Sequence, residues 1–150
     1  MSDLEIRPAV LEDIPAIVAM LADDPLGARR ESPEDLTPYT AAFERLAQDP
    51  NQMQAVAVRE DRVVGTLQLT IIPGLSRRGS TRSIIEGVRI HADERGSGLG
   101  TRLIEWAIDE SRRHDCQLVQ LTSDASRTDA RRFYERLGFE PSHVGFKLQL

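Results

Sequence analysis

A glycine-rich segment in the second half of the chain combines residue types that bind anions. Residues 95–101 read Arg-Gly-Ser-Gly-Leu-Gly-Thr and lie between a strand-like pattern and a helix-like pattern. The first amides of a helix have no partners inside the helix, and the helix dipole adds positive charge there. Glycines let a ligand approach this backbone closely, and Arg95 adds a charged donor. The segment therefore predicts a site for an anion such as a phosphate.

Two common phosphate-binding motifs do not fit this spacing. The dinucleotide fingerprint Gly-x-Gly-x-x-Gly requires a third glycine where this chain has Thr101. A P-loop requires lysine directly before its final serine or threonine, and Gly100 occupies that position. A tight turn without a ligand is the plain alternative, but one glycine would be enough for such a turn. The pattern favours an anion site of another type.

Two motifs together carry a family resemblance. The pattern Arg95-x-x-Gly98-x-Gly100 resembles the Arg/Gln-x-x-Gly-x-Gly/Ala signature of the GNAT family of N-acetyltransferases, which holds the pyrophosphate of acetyl-CoA. Residues 130–139 are similar to the Ala-x-x-Phe-Tyr-x-x-x-Gly-Phe helix end of the same family. The motifs occur in the order and strand–helix context that a split cofactor site on one sheet requires. The resemblance covers residues 63–139 well and is weaker before them.

The resemblance implies how acetyl-CoA would lie. The backbone of Val88 and Ile90 would pair with the pantetheine arm where two strands diverge. The family often has asparagine where this chain has Arg127, which either adds charge near the coenzyme A phosphates or points to solvent. By resemblance, the expected cofactor contacts are Val88, Arg89, Ile90, Arg95, Gly96, Ser97, Gly98, Leu99, Gly100, Thr101, Arg127, Arg131 and Tyr134.

The implied chemistry is direct attack of a primary amine on the thioester in a ternary complex, with coenzyme A as product. Removing the proton of an amine whose pKa is near ~10.4 costs about 4–5 kcal/mol at pH 7. Glu86 resembles a family position that often serves as general base, and its two isoleucine neighbours favour partial burial over an ordinary solvent-facing position. Tyr134 is expected at the margin of a core stripe, where it would protonate the departing sulfur, unless it is simply a packed aromatic.

The rest of the pattern predicts the elements that position these residues. Alternation predicts strands at 4–7, 53–58, 63–72, 83–90, 118–121 and 143–150, of which 118–121 is buried and the last ends the sheet. Helical spacing predicts helices from Asp13 and over 39–48, 99–108 and 128–137. This order predicts an α/β domain with a mixed sheet. The resemblance implies the GNAT fold, a mixed, mostly antiparallel sheet with splayed middle strands and about four flanking helices.

Composition narrows the classes of function. The 150 residues suit a single domain, and 40% hydrophobic with 29% charged residues is typical of a globular protein. The longest apolar run, residues 16–22, is too short for a membrane span, and the first residues lack a signal-peptide pattern, so we expect a cytoplasmic protein without membrane contact. One cysteine excludes an internal disulfide, and three histidines without ligand spacing predict no metal site.

Charge is distributed unevenly along the chain. The net charge is −5, with −7 in residues 1–76 and +2 in residues 77–136. The acidic whole argues against nucleic acid as a partner, and the basic segment suits one anionic ligand, although solvated faces that differ by chance explain it equally well. By resemblance, the acidic loop at residues 23–35 lines the acceptor site, where it would attract a cationic amine, unless it is simply a solvated surface loop of an acidic protein.

The sequence does not identify the amine that accepts the acetyl group. We expect a small-molecule amine as substrate. The alternatives are a protein or peptide N-acetyltransferase, which needs an open groove, and a non-catalytic acyl-CoA-binding module. The sequence leaves open whether the chain forms a homodimer.

Overall fold

The computed structural model describes residues 3–150, which contain one five-stranded sheet. The strands lie side by side in sequence order, the first four antiparallel and the fifth parallel to the fourth. The prediction of a mixed, mostly antiparallel sheet is confirmed. The strands are β1 (Leu4–Pro8), β2 (Gln52–Arg59), β3 (Arg62–Ile72), β4 (Thr81–Ile90) and β5 (Cys116–Leu121).

Six helices accompany the sheet within the described residues, and the four longer ones are those expected from the sequence. The helix predicted from residue 39 begins two residues earlier, because Pro38 is compatible with the first turn of a helix. The helix predicted over 99–108 continues to Arg113. The helices are α1 (Ile14–Ala22), α2 (Gly27–Arg30), α3 (Thr37–Gln48), α4 (Ser76–Gly79), α5 (Leu99–Arg113) and α6 (Thr128–Arg136).

The sheet separates two hydrophobic clusters. On one face α5 packs its buried residues Leu103 and Ile104 against inward-facing residues such as Leu67 of β3. On the other face α1 packs Ile17 against Val56 of β2. Alternate residues of β2 therefore serve opposite clusters, as the period of two in a strand requires. Both helix layers are fixed against the central strands, which hold the candidate site.

Strands β4 and β5 separate after a short paired stretch. Their pairing ends where Ile85 lies opposite Leu121, whereas β4 continues to Ile90 with its other edge still paired to β3. The β3–β4 register shifts at this point, and Gly87 has a positive φ of +61°, which is a β-bulge that bends β4. Residues 86–90 consequently border an open wedge on their β5 side. The expectation of splayed middle strands is confirmed.

Two expectations for the end of the chain are wrong. The strand at 118–121 is not buried, because β5 is the edge of the sheet and Leu118 is 39% exposed. The strand at 143–150 is not formed, and residues 140–150 are exposed without regular structure. Apolar residues do alternate with other residues in this segment, but no strand within the described part of the chain pairs with it.

Candidate active site

The glycine-rich turn forms the entry to α5. Gly96 and Gly98 have φ values of +81° and +85°, a conformation that a side chain would strain. The amide and the hydroxyl of Ser97 both donate to the carbonyl of Glu94, which closes the turn before the helix begins at Leu99. A Cβ atom added at either glycine would meet no atom within 4 Å. The approach to the first amides of α5 is open, which suits a bound anion.

Gly100 marks the place where three elements converge. A Cβ atom at this position would lie 3.4 Å from Cζ of Phe133 in α6 and 3.9 Å from Cγ1 of Ile90 at the end of β4. These are ordinary van der Waals distances, so the three elements approach one another closely at this position. The two sequence motifs are thus in direct contact, and both lie beside the unpaired end of β4.

Tyr134 is half-buried next to this convergence. Its ring packs edge-on against Phe133 at a centroid distance of 5.1 Å and against Phe139 at 6.0 Å. Its hydroxyl makes no hydrogen bond to the residues that the structure describes. Burial raises the pKa of the phenol, while the positive charges of Arg89 and Arg127 act in the opposite direction. The phenol is therefore protonated at neutral pH and able to donate.

A charged cluster surrounds Asp24, in the loop after α1, and its two arginines are near enough to this phenol to act on its pKa. Oδ2 of Asp24 is 2.8 Å from a terminal nitrogen of Arg127 and 3.3 Å from Nε of Arg89. Oδ1 accepts a hydrogen bond from the amide of Gly27. Burial would raise the pKa of this carboxyl, but the hydrogen bonds and the two guanidinium groups hold it below its ordinary value. Asp24 is therefore ionised and joins α1, β4 and α6.

Arg89 is as buried as Asp24, and both side chains are less exposed than that of Arg127. The pKa of Arg89 is lowered, mainly by burial, and its Nε atom is shielded from solvent without a hydrogen bond of acceptable geometry. One terminal nitrogen donates to the carbonyl of Val88 at 2.9 Å. The side chain points away from the sheet face that carries α5, toward Asp24. An expected cofactor contact at this position would therefore come from its backbone.

Asp24 is the site residue that sequence reasoning did not single out. It was part of the acidic loop expected near the acceptor, but its partners are distant in sequence, and Arg127 is 103 residues away. Arg127 does not simply point to solvent, because one of its terminal nitrogens is paired with this carboxylate. The sequence did contain one signal for this pairing. Residues 77–136 have an excess of arginine, and an acidic loop elsewhere in the chain can neutralise these charges.

The remaining predicted residues lie around the same region with looser contacts. Glu86 is exposed, so the expectation of partial burial is wrong, and it lies directly after the last residue of β4 that pairs with β5. Arg95 makes a solvent-exposed pair with Asp23 at 3.5 Å. Arg131 is exposed and pairs with Glu135 one turn along α6. These side chains border the wedge or the glycine turn without being fixed there.

The described residues contain neither a membrane-spanning helix nor a cluster of metal-ligating side chains. No helix within residues 3–150 has the length and apolar character to span a membrane. No group of three histidine, cysteine, aspartate or glutamate side chains in that part of the chain is arranged to hold a metal ion.

Comparison with known proteins identifies the family. The model of the acetyltransferase (GNAT) family matches residues 14–139, which include both sequence motifs and the whole wedge. The chain belongs to the GNAT family. It is therefore an acetyl-CoA-dependent acyltransferase by family, and the resemblance deduced from the two motifs is confirmed.

Three GNAT relatives show how far the similarity extends. The aminoalkylphosphonate N-acetyltransferase of Salmonella typhimurium is 30% identical over 142 residues, which is 95% of this chain and 88% of that protein. The glucosamine 6-phosphate N-acetyltransferase of Trypanosoma brucei brucei is 36% identical over 89 residues, 59% of this chain and 58% of that protein. A solved structure described as a transcriptional regulator from Bacillus halodurans C-125 is 43% identical, covers 99% of this chain and all of its own, and superposes with a TM-score of 0.94.

Proposed function

We propose that this chain transfers the acetyl group of acetyl-CoA to the primary amine of a small molecule that also carries a phosphate or phosphonate group. The arrangement around the wedge is the observation that carries this proposal. The open N-terminus of α5 lies at one end of the wedge, the unpaired edge of β4 runs along it, and Tyr134 lies beside it with two arginines.

The residues present fit acetyl-CoA, which supplies an activated thioester when bound. The first amides of α5 would hold its diphosphate, because they lack partners inside the helix and their approach is open. Arg95 would add a charge, since its exposed pair with Asp23 is weak and easily exchanged for an anion. The amide of Val88 and the backbone of Ile90, on the edge of β4 that has no β5 partner, would hydrogen-bond the pantetheine arm.

Formation of the amide removes two protons from nitrogen and adds one to sulfur, so the first nitrogen proton needs a base and the second can restore the group that protonates the sulfur. The nitrogen–carbon bond can form once the ammonium group has lost a proton, and the carboxylate of Glu86 at the mouth of the wedge would accept it directly or through water. As the carbon–sulfur bond breaks, the phenol of Tyr134 would donate its proton or a hydrogen bond to the sulfur. These two roles remain predictions.

The arginines beside Tyr134 favour an acceptor with an anionic group. A guanidinium has five N–H donors, and the contacts of Arg89 and Arg127 with Asp24 and a carbonyl use a minority of them within the described residues. Glu31 and Arg30, next to each other at the end of α2, also act on the pKa of Arg89, in opposite directions. Arginine forks match the geometry of phosphate and phosphonate oxygens.

The relatives support an acceptor of this class. The Salmonella protein is named for an aminoalkylphosphonate and the trypanosomal one for glucosamine 6-phosphate, and both of these amines carry an anionic phosphorus group. The acidic residues expected to attract an amine are also present, but Asp24 is neutralised by its arginines. The cluster therefore suits the anionic end of a substrate better than its ammonium end.

Release of free thiol from acetyl-CoA, measured with matched pairs of amines, tests the proposal. We expect aminoethylphosphonate and glucosamine 6-phosphate to react with higher kcat/KM than ethanolamine and glucosamine, which lack the anionic group. Arg127→Gln should raise KM for the amine with the anionic group in each pair and leave KM nearly unchanged for the amine without it. Equal rates within each pair would contradict the anionic acceptor, activity on peptides alone would support a protein N-acetyltransferase, and coenzyme A binding without thiol release would support a non-catalytic module.

A further inference from the structure

The sheet face that is turned away from α5 changes character along β2 and β3. At one end it is apolar, since Val56 and Val58 of β2 pack in the cluster that contains Ile17 of α1. Farther along the two strands the same face is polar and partly exposed, and its residues there are Gln52, Gln54, Gln68 and Thr70. A few well-placed polar side chains on an otherwise apolar surface are the usual means of orienting a ligand.

Gln68 is the member of this polar set that lies beside the candidate base. Gln68 of β3 and Glu86 of β4 are directly opposite each other in the antiparallel register. Their chain neighbours Leu69 and Ile85 are buried in the cluster under α5, so Gln68 and Glu86 both point to the other face. The Cβ atoms of directly opposed residues are roughly 4.5–5.5 Å apart. The carboxamide of Gln68 is therefore within reach of a group that contacts the carboxylate of Glu86.

The carboxamide of Gln68 is held by its neighbours in one orientation. Its Nε2 atom donates to Oε1 of Gln52 at 2.9 Å, and the same oxygen of Gln52 accepts from the hydroxyl of Thr70 at 2.8 Å. Within residues 3–150 the other end of the group, Oε1 of Gln68, accepts no hydrogen bond and is not shut off from solvent. A fixed carboxamide with a free oxygen is an acceptor ready for an N–H or O–H group of a ligand.

We propose that Gln68 positions the amine of the acceptor, by accepting a hydrogen bond from its nitrogen while Glu86 takes the first proton. This inference rests on the proposed function, because it requires the amine to lie at Glu86. Once the ammonium group has lost that proton, two N–H groups and a lone pair remain. One N–H donates to Oε1 of Gln68, which leaves the lone pair for the carbonyl carbon of the thioester. The other N–H proton is lost after the nitrogen–carbon bond has formed.

A neutral oxygen is suited to this task. The oxygen of a carboxamide accepts a hydrogen bond without taking the proton, whereas a second carboxylate would compete with Glu86 for it. The hydrogen bond from Gln68 to Gln52 also restricts the side chain before the substrate arrives, so less rotational freedom is lost on binding.

Gln54 offers a matched comparison within the same set. It is the same residue type on the same face and lies opposite Gln68 on β2, two strand spacings or roughly 9–10 Å from β4. Its Nε2 atom donates to the buried hydroxyl of Thr66 at 2.8 Å. The carboxamide of Gln54 is therefore directed along its own strand pair and away from Glu86.

Thiol release by Gln68→Met, with aminoethylphosphonate as the acceptor, tests the inference. Methionine keeps the length of the side chain and removes its oxygen. We expect kcat/KM for the amine to fall roughly 10- to 100-fold, the range for a lost hydrogen bond to a charged group. The KM for acetyl-CoA and the dissociation constant of coenzyme A, measured by calorimetry, should stay unchanged. Gln54→Met is the control and should keep kcat/KM near the wild-type value.

The possible results separate this inference from the proposed function. Wild-type kcat/KM in Gln68→Met would overturn the positioning role and leave the proposed function standing. Equal losses in the two variants, or weaker binding of coenzyme A by Gln68→Met, would also overturn it, because the effect would then be one on the fold. If the wild-type chain acetylates only amines without an anionic group, the proposed acceptor class fails, and the same fall is expected for Gln68→Met with those amines. A wild-type chain that acetylates no amine overturns both.

Discussion

The carboxylate of Asp24 lies 2.8 Å from the guanidinium of Arg127, although the two residues are 103 positions apart in the chain. The same carboxylate oxygen is 3.3 Å from Nε of Arg89. One short side chain from the loop after α1 thereby links β4 to the beginning of α6 across the open side of the sheet. An ion-pair cluster therefore helps to join these three elements beside the candidate active site.

Replacement of Asp24 by asparagine should destabilise the protein. It would leave two arginines, one of them half-buried, without their shared counter-charge, and the expected loss is about 1–3 kcal/mol of unfolding free energy. Urea unfolding followed by circular dichroism measures it. Asp23→Asn is the matched neighbour, because its ion pair with Arg95 is exposed and should contribute less than about 0.5 kcal/mol. Equal losses in the two variants would show that the cluster has no special structural role.

Asp13 should make the stability of the chain sensitive to acid. A hydrogen bond from Arg7, assisted by one from the amide of Val10, lowers the pKa of this buried carboxyl, although burial opposes the shift. Its stabilising contribution is complete above the unfolded-state pKa of about 3.9 and is lost as the pH falls through the lower pKa of the folded state. Unfolding free energies of Asp13→Asn and wild type should differ by roughly 1–3 kcal/mol at pH 7 and converge near pH 2. A difference that does not change with pH would contradict this assignment.

Replacement of Tyr134 by phenylalanine should lower turnover and spare the binding of the coenzyme. The aromatic packing against Phe133 and Phe139 is kept, while the proton donor is removed. We expect kcat for thiol release to fall roughly 100-fold, as for loss of a general acid. Calorimetry with coenzyme A is the internal control and should give an unchanged dissociation constant. Wild-type turnover in this variant would remove Tyr134 from the reaction.

Gly98 should tolerate asparagine better than alanine. Its φ of +85° is strained for a residue with a Cβ atom, and no atom lies close enough to clash with that Cβ. Gly98→Ala should therefore lower the unfolding free energy by about 1–2 kcal/mol through the backbone alone, and asparagine, which enters this conformation more readily, should cost less. Thermal unfolding of the two variants compares them. The reverse order would mean that an unrecognised contact, and not φ, restricts this position.

Elements with local signals were predictable from the sequence. The β2–β3 hairpin follows from alternation on both sides of a short polar turn, whose residues Glu60 and Asp61 have the positive φ values that a two-residue hairpin turn requires. The end of α6 follows from Gly138, which has a φ of +97°. The contact between the two motifs at Gly100 could be anticipated only because the family resemblance places both on one cofactor site.

Features that depend on distant neighbours were not predictable. Glu86 was expected to be partly buried beside two isoleucines, but β4 loses its β5 neighbour at that residue, so nothing covers the side chain. The pairing of Asp24 depends on partners brought together by the whole fold. Residues 143–150 were predicted to form the strand that ends the sheet, because alternation indicates a strand with one covered face but does not show whether a neighbouring strand is within reach.

The separation of β4 from β5 has a mechanical consequence for the whole molecule. Beyond the pair Ile85–Leu121, the part of the chain that contains β5 and α6 contacts the rest of the molecule through α5, through the packing of Phe133 and Tyr134 against the core, and through the Asp24 bridge. This seam is the natural place for partial opening, which needs less free energy than global unfolding. A molecule that lies along the seam would contact both halves at once, so occupancy would slow the motion of the C-terminal third and raise the melting temperature of the chain.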